Sequence, residues 1–356
     1  MKDRVYICHT FYHVYITVLK ELNLEASERG HATLVLSTMS NDFSGMAQRA
    51  KKCDLFEEVY MFEEKADVTS EKVMKYHKDR GNVISNLLQR MVYTKLLGKL
   101  QEKYIPVDLK QYKDIYVFCD SDPIGYYLNY RRIRYHAVED GLDTIKYCDD
   151  ARYGNRGHFG LKAWMAANNL IFIENGYSKY CIDMEVNEIE GIKYPTSKFI
   201  QVPRRQLFEA VKPEDIHYFT EIFMPNGEEV MQKIASADKG RKQIMILSDP
   251  VCEPSRRGDI MRDIINEYCR EATVFIKPHP RDVYDYDTEK FSDCIILGGR
   301  YPMEVLNLYP QLHMDTVISI LTVIDSIDFA DNKVFLGPDF MDRYEDPSIH
   351  RQNEQI

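Results

Sequence analysis

From Val5 to Leu36 the chain reads VYICHTFYHVYITVLKELNLEASERGHATLVL, and the architecture follows from how that segment alternates. Val5-Tyr6-Ile7-Cys8 is a short apolar run of the kind that forms a buried strand. After His9-Thr10-Phe11-Tyr12-His13, residues Val14, Val18 and Leu22 recur at helical spacing, with Tyr15, Leu19 and Ala26 beside them. Gly30 is expected to end that helix, and Thr33-Leu34-Val35-Leu36 to form the next strand. A βαβ opening predicts a parallel sheet covered by helices on both faces.

The same alternation recurs downstream. Ile115–Cys119, Tyr135–Val138 and Leu170–Ile173 read as strands ending at Asp120-Ser121-Asp122, Glu139-Asp140-Gly141 and Glu174-Asn175-Gly176. Polar residues at the carboxyl ends of parallel strands mark where such folds hold ligands. Residues 51–110 read as mostly helical and charged. Tyr194-Pro195-Thr196-Ser197 looks like a connection to a second α/β unit. That unit has strands at Ile244–Leu247, Thr273–Ile276, Cys294–Leu297, Asp315–Leu321 and Lys333–Leu336, and a helix carrying Ile260, Ile264 and Ile265. The expectation is an α/β protein of GT-B type: two Rossmann-like parallel-sheet domains, residues 1–195 and 196–356, facing a central cleft. Neither half has a GxGxxG after its first strand, and no GxxxxGK[ST] is present, which disfavours dinucleotide and P-loop sites.

Composition narrows the chemistry. The 356 residues carry 46 Lys and Arg against 56 Asp and Glu, a net charge of −10. Such a chain is a poor nucleic-acid binder, because that affinity rests on neutralising phosphates. No apolar run approaches the roughly 20 residues of a membrane span. The eight cysteines form no CxxC pair, so a reduced, cytoplasmic protein without a signal peptide or a cysteine zinc site is expected. The 25 Tyr against one Trp would suit sugar and base contacts, though compositional bias explains them as well.

Lys277-Pro278-His279-Pro280-Arg281 is the sharpest local signal. Two prolines fix the backbone around one imidazole at a strand end, with cations on either side. Such a loop can hold a phosphate while His279 donates to it, although a rigid turn with a basic rim has the same sequence. Glu139-Asp140-Gly141 can present a carboxylate to deprotonate a hydroxyl, or can be a plain Asp-Gly turn. Ser319 to Thr322 ends a strand and is expected to open a helix running to about Ile327, whose start would bind phosphate. Glu304, at a helix start, could grip ribose hydroxyls or simply favour the first helical turn. Asp120 and Asp122 form a DxD that could serve a metal, with solvated turns as the plainer reading.

In this order the motifs resemble bacterial sialyltransferases, most closely glycosyltransferase family 52. Thr10-Phe11-Tyr12-His13 is similar to the family's T-P-Y-H opening, Glu139-Asp140-Gly141 to its D/E-D/E-G motif, Lys277-Pro278-His279-Pro280 to its HP motif, and Ser319 to Thr322 to its S/T motif. The resemblance implies a CMP-sialic acid donor, inversion at the anomeric carbon, and neither catalytic metal nor cofactor. It makes the first domain the acceptor side and the second the donor side. His279 would contact or protonate the CMP phosphate. Lys277, Ser319 and Thr322 would bind that phosphate, Glu304 the ribose, and Thr10, Tyr12, His13, Glu139, Gly141 and Pro280 the substrates. The base would be Asp140, with Glu253 or Asp259 as alternatives, because the segment after Leu247 lacks the relatives' acidic-Gly pair. The implied acceptor is a lipooligosaccharide or capsular glycan, with peripheral attachment at the inner face of the cell membrane and a homodimer as further options. Another surface-glycan enzyme, such as a glucosyltransferase or polyol-phosphate transferase with a different nucleotide donor, and a non-enzymatic binding protein are the alternatives.

Overall fold

The computed structural model describes residues 1–350, which divide into two compact units, one up to Lys212 and the other from Pro213 onward. The first unit holds β1 (Lys2–Cys8), β2 (Ala32–Ser37), β3 (Phe56–Phe62), β4 (Tyr112–Phe118), β5 (Tyr135–Val138), β6 (Cys181–Val186) and β7 (Phe199–Gln201), paired in parallel in the order β3-β2-β1-β4-β5-β6-β7. The second holds β8 (Gln243–Leu247), β9 (Thr273–Lys277), β10 (Cys294–Ile296), β11 (Met314–Ser319) and β12 (Ala330–Phe335), also all parallel, in the order β10-β9-β8-β11-β12. Each sheet is therefore doubly wound. Its order reverses between β1 and β4 in the first unit, and between β8 and β11 in the second.

The opening segment folds as its pattern dictates. Helix α1 (Phe11–Leu22) buries Val14, Val18 and Leu22 and starts at a capping box. Thr10 accepts from the His13 N–H while the His13 ring accepts from the Thr10 N–H, so two of the helix's orphan donors are satisfied. Asn23, not Gly30, caps its end. Gly30 instead adopts a left-handed turn, φ 79°, that leads into β2.

Four further expectations need correction. β3, Phe-Glu-Glu-Val-Tyr-Met-Phe, lies within the stretch read as helical, because its charged residues hid an edge strand. Leu170–Ile173 is a buried loop; Asn169 and Asn175, both with left-handed φ (58° and 55°), interrupt the extended run on either side. β6 takes its place beside β5. Residues 322–327 form no helix. The division at residue 195 also falls too early, since β7 pairs with β6 and keeps residues up to 212 in the first unit.

The core of the first unit gathers Ile7, Val117, Leu128 and Tyr135 between sheet and helices; that of the second gathers Ile246, Ile264, Ile276 and Ile318. All eight cysteines are free thiols. Among the described residues no helix is long and apolar enough to cross a membrane.

Candidate active site

Parallel strands present backbone groups and loops at their carboxyl ends, and a crevice opens where the strand order reverses. In the first unit that place is filled by acids and imidazoles. His9 follows β1, and Cys119, in a left-handed turn with φ 55°, follows β4. His13 is fully buried on α1, stacked on Phe118 with ring centroids 4.5 Å apart. Its Nδ1 accepts from the backbone N–H groups of His9 and Thr10 at 3.0 and 3.3 Å. That fixes the proton of the neutral ring on Nε2, which donates to the Asp140 carboxylate at 2.7 Å. Asp140 follows β5, and its side chain is 47% exposed. Burial alone would raise its carboxyl. The His13 hydrogen bond and charge outweigh burial and hold it well below the ordinary carboxylate value. An exposed carboxylate fixed from behind by a buried imidazole is held ionised and oriented, a weak base that can take a proton as one is released in a transition state.

Behind it lies a buried ion pair. Glu64 accepts from His9 Nε2 at 2.8 Å, the Ser37 hydroxyl at 2.5 Å and the Ile124 N–H at 2.8 Å, at the start of helix α2 (Pro123–Arg131). Burial pushes the His9 ring down, but the Glu64 charge and hydrogen bond raise it to about 8. The Glu64 carboxyl is lowered despite burial, through the same His9 contacts. The His9 contribution to stability is therefore complete below its ordinary value of 6.5 and is lost as pH rises through about 8. Glu64→Gln is expected to cost about 1–3 kcal/mol and to flatten that pH dependence. Urea melts at pH 6 and 9 check it; an unchanged slope counts against the pair.

In the second unit the HP loop leaves β9. The His279 backbone N–H donates to the Ser248 hydroxyl at 3.0 Å, and Nδ1 accepts from the Arg281 N–H at 3.1 Å. The neutral ring therefore also carries its proton on Nε2. Burial, with the charges of Arg281 and Lys277, pushes this imidazole down to about 3. The loop is anchored by Asp282, whose fully buried carboxylate accepts from Ser248 (2.6 Å), Arg257 (2.7 Å) and Tyr286 (2.8 Å). Lys277 is buried. Its ammonium donates to the carbonyls of Pro278 (2.7 Å) and Tyr301 (3.1 Å) and lies 4.1 Å from the centre of the Tyr301 ring. Burial lowers it to about 7 against the opposing pull of Glu304.

Across the β8/β11 reversal, Asp249 fills the S/T segment. Its carboxylate accepts from the N–H groups of Ile320 (3.3 Å) and Leu321 (3.0 Å) and from the Thr322 hydroxyl. Ser319 donates to the Thr322 carbonyl at 2.7 Å. The two hydroxyls expected to meet phosphate are thus engaged within the protein. The oxygens of Asp249 lie where the sequence reading would put phosphate oxygens.

The other candidates divide. Thr10 is a helix cap, and the Tyr12 ring lies tilted beside that of Tyr15 with centroids 6.1 Å apart. Glu139 is buried and structural, accepting from the N–H groups of Ile145 and Asn187, both at 2.9 Å. A Cβ at Gly141 would come within 2.6 Å of the Thr144 hydroxyl, which would have to turn away. Glu304 lies in a 3₁₀ turn, Met303–Leu308, buried and facing Ser326. Pro280 is half-buried in the loop. Glu253 is exposed at the N-cap position of helix α3 (Pro254–Tyr268) without a capping bond. Asp259 occupies the solvent face of α3, paired with Lys290 at 2.5 Å, because the helical phase buries Arg257, Gly258, Ile260 and Met261 instead. It joins no strand-end cluster. Asp120 accepts from Tyr135 and the Asn175 N–H, whereas Asp122 approaches His9 at 3.4 Å, so the DxD carboxylates turn to different partners. His13, Cys119 and Asp140 lie close enough to hold a cation, as do His9, Glu64 and Asp122. The His13 tautomer opposes the first set, since Nε2 would have to lose the proton that its Nδ1 partners fix there.

His9, Glu64, Asp249 and Asp282 escaped the sequence reading. The signal for Asp249 and Asp282 was their place: one directly after a strand end, the other just beyond the HP loop.

The family model for glycosyltransferase family 52 matches residues 51–334. No curated protein matches the chain. Among solved structures, a sialyltransferase from Photobacterium damsela is similar with a TM-score of 0.51 at 14% identity, over 93% of this chain and 73% of that one. A 2,6-sialyltransferase from Vibrionaceae Photobacterium sp. JT-ISH-224, in a ternary complex with donor product CMP and acceptor substrate lactose, gives a TM-score of 0.52 at 9% identity, over 94% and 71%. At such identities the likeness carries the fold alone, an α/β fold of GT-B type.

Proposed function

The chain belongs to glycosyltransferase family 52, and on that premise we propose that this glycosyltransferase is an inverting sialyltransferase, moving sialic acid from CMP-sialic acid to a glycan acceptor without a metal. The acceptor hydroxyl oxygen bonds to the anomeric carbon as the bond from that carbon to the CMP phosphate oxygen breaks. The hydroxyl proton passes to the Asp140 carboxylate, and the charge left on phosphate meets the His279 N–H.

One observation carries this reading: the HP loop fixes the His279 tautomer through the Arg281 N–H, leaving Nε2–H as a preorganised donor. A nucleoside monophosphate leaving group needs such a donor where charge develops. It has one phosphate, so no diphosphate requires bridging by a divalent ion. The two hydroxyls of the S/T segment bind donor only if Asp249 gives way, and Lys277 only if it leaves the Pro278 and Tyr301 carbonyls, so the His279 Nε2–H is the first phosphate contact proposed here, with Glu304 on ribose. A lipooligosaccharide or capsular acceptor, a cytoplasmic site of action and a homodimer complete the reading by resemblance.

Calorimetry and a transfer assay in excess EDTA test it. CMP is expected to bind more tightly than UMP or AMP, and transfer from CMP-sialic acid is expected to continue undiminished in EDTA. Equal binding of the three nucleotides would sink the cytidine assignment. Strict dependence on Mg²⁺ or Mn²⁺ would favour a sugar-diphosphate donor instead.

A further inference from the structure

The Asp249 carboxylate is a buried charge without a counter-charge. It stands just past the end of β8 and is 6% exposed. Among the described residues no Lys, Arg or His forms an ion pair with it. Burial raises its carboxyl, against the Thr322 hydroxyl and the backbone of Leu321, Thr322 and Ile320. Keeping a carboxylate ionised in such a place costs free energy that hydrogen bonds only partly offset. The groups around it are of the kind that hold phosphate: two successive N–H groups and a hydroxyl, at a strand end beside the reversal of the sheet order. Their arrangement does not depend on Asp249. The carbonyls of Ser319 and Ile320 accept from the N–H groups of Leu336 and Gly337, both at 2.9 Å, and the Ser319 hydroxyl closes the turn onto the Thr322 carbonyl. The cradle is thus held from the β12 side and keeps its shape when its occupant leaves.

Asp249 can leave without unravelling its neighbours. Residues 248–253 form no regular structure. On one side Ser248 is tied to Asp282 and to the His279 N–H; on the other, Arg257 donates to the carbonyls of Val251 at 2.8 Å and Cys252 at 3.1 Å. With the chain pinned on both sides, the side chain alone has to turn. We propose that Asp249 is a resident anion plugging a preformed phosphate cradle, and that a ligand's phosphate displaces it, taking over the Ile320 and Leu321 N–H groups and the Thr322 hydroxyl. Charge repulsion drives the exchange, and the expelled carboxylate regains water. In the empty protein the plug keeps three buried donors satisfied. Its consequence for binding is a tax: the parent's affinity is reduced by the fraction of molecules in which the cradle stands open. The inference rests on the proposed CMP donor for the nucleoside part of the ligand, and on the cradle alone for its phosphate.

Calorimetry with CMP and with inorganic phosphate, on the full chain and its variants, tests the plug. Asp249→Ala is expected to bind CMP at least about tenfold more tightly than the parent, the gain when about a tenth or fewer of parent molecules stand open. Asp249→Asn fills the same space without the charge, and its gain is expected to be smaller, about threefold. Inorganic phosphate should rank the three proteins in the same order. Without ligand, Asp249→Ala should melt below the parent, because three donors lose their acceptor, and CMP should raise its Tm by more than it raises the parent's. Adding Thr322→Val to Asp249→Ala should take back most of the gain, since both occupants use that hydroxyl. Parental or weaker affinity for CMP and phosphate in both Asp249 variants overturns the proposal and leaves Asp249 a structural cross-link. A gain that Thr322→Val leaves untouched overturns it too. Should Asp249→Ala fail to fold, the near-isosteric Asp249→Asn decides alone, parental affinity counting against the plug. An equal gain for CMP, UMP and AMP upholds the plug while sinking the cytidine assignment; a cytidine preference without any gain does the reverse.

Discussion

His279→Ala is expected to slow turnover by about 10²–10⁴-fold, the usual scale for a lost proton or oxyanion donor, with the fold intact. The imidazole contributes one hydrogen bond to the loop's shape, from the Arg281 N–H to Nδ1, and other groups hold the rest. Pro278 and Pro280 restrict the backbone, and Asp282 gathers Ser248, Arg257 and Tyr286 beneath it. What the variant removes, besides that one acceptor for the Arg281 N–H, is the Nε2–H. With the ring pushed down to about 3 by burial and by Arg281 and Lys277, the free enzyme carries a neutral His279 across about pH 5–8. Its kcat/KM profile should therefore show no limb near 6.5 that belongs to this residue. The ring acts as a hydrogen-bond donor on the ground-state phosphate; only as charge builds on the leaving oxygen does it gain acid character. His279→Gln, whose carboxamide keeps an N–H, should recover part of the loss. Turnover within about threefold of the parent in His279→Ala, or a limb near 6.5 abolished by that substitution, would refute the role.

Much of this loop was legible because its signals are local. Two prolines around a histidine after Thr-Val-Phe-Ile constrain geometry without help from elsewhere, and β9 ends there. The βαβ opening was legible for the same reason, since Val14, Val18 and Leu22 recur at helical spacing in α1, which is buried along all of its residues except Tyr12 and Lys20. Sequence periodicity fails where burial does not follow element type. β3 exposes Glu57 beside Glu58 at the edge of its sheet and so lacks a two-residue alternation. Leu170–Ile173 buries apolar side chains in a satellite core without joining the sheet, and a short apolar run reads alike in both cases.

The site was harder to read because its pairs span long separations. His13 and Asp140 are brought together only by the strand order β1-β4-β5. His9 and Glu64 meet because β3 ends beside β2, and β3 was the strand the pattern hid. Asp249 was visible as an acid after a strand, but its grip on Ile320, Leu321 and Thr322 follows from β8 lying next to β11. The hydroxyls of Ser319 and Thr322 looked available for phosphate because no sequence rule counts a partner across a switch point.

Asp140→Asn, which removes basicity while keeping the side chain's size and one acceptor for the His13 N–H, is expected to lower kcat for transfer by about 10²–10⁴-fold. CMP affinity should stay near that of the parent, because the groups proposed to hold the nucleotide all lie in the second unit. The Asp140 carboxyl is held well below its ordinary value of 3.8 by His13, against burial, so the residue is a carboxylate through the whole working pH range. A base this weak in the ground state becomes effective when the attacking hydroxyl turns acidic on bonding to an electron-poor anomeric carbon; proton transfer then belongs to the transition state. That places its cost in kcat, and places its acid limb below 3.8. His13→Ala removes the hydrogen bond and charge that depress Asp140 and leaves the burial that raises it, so the limb should move upward, toward neutral pH. A purely structural loss would lower activity at every pH alike. Glu253→Gln and Asp259→Asn are expected to transfer at nearly the parental rate, one residue being exposed at the N-cap position of α3 and the other paired with Lys290 on its outer face. Full transfer by Asp140→Asn together with a collapse in Glu253→Gln would move the base to the second unit and leave the His13–Asp140 pair a purely structural one.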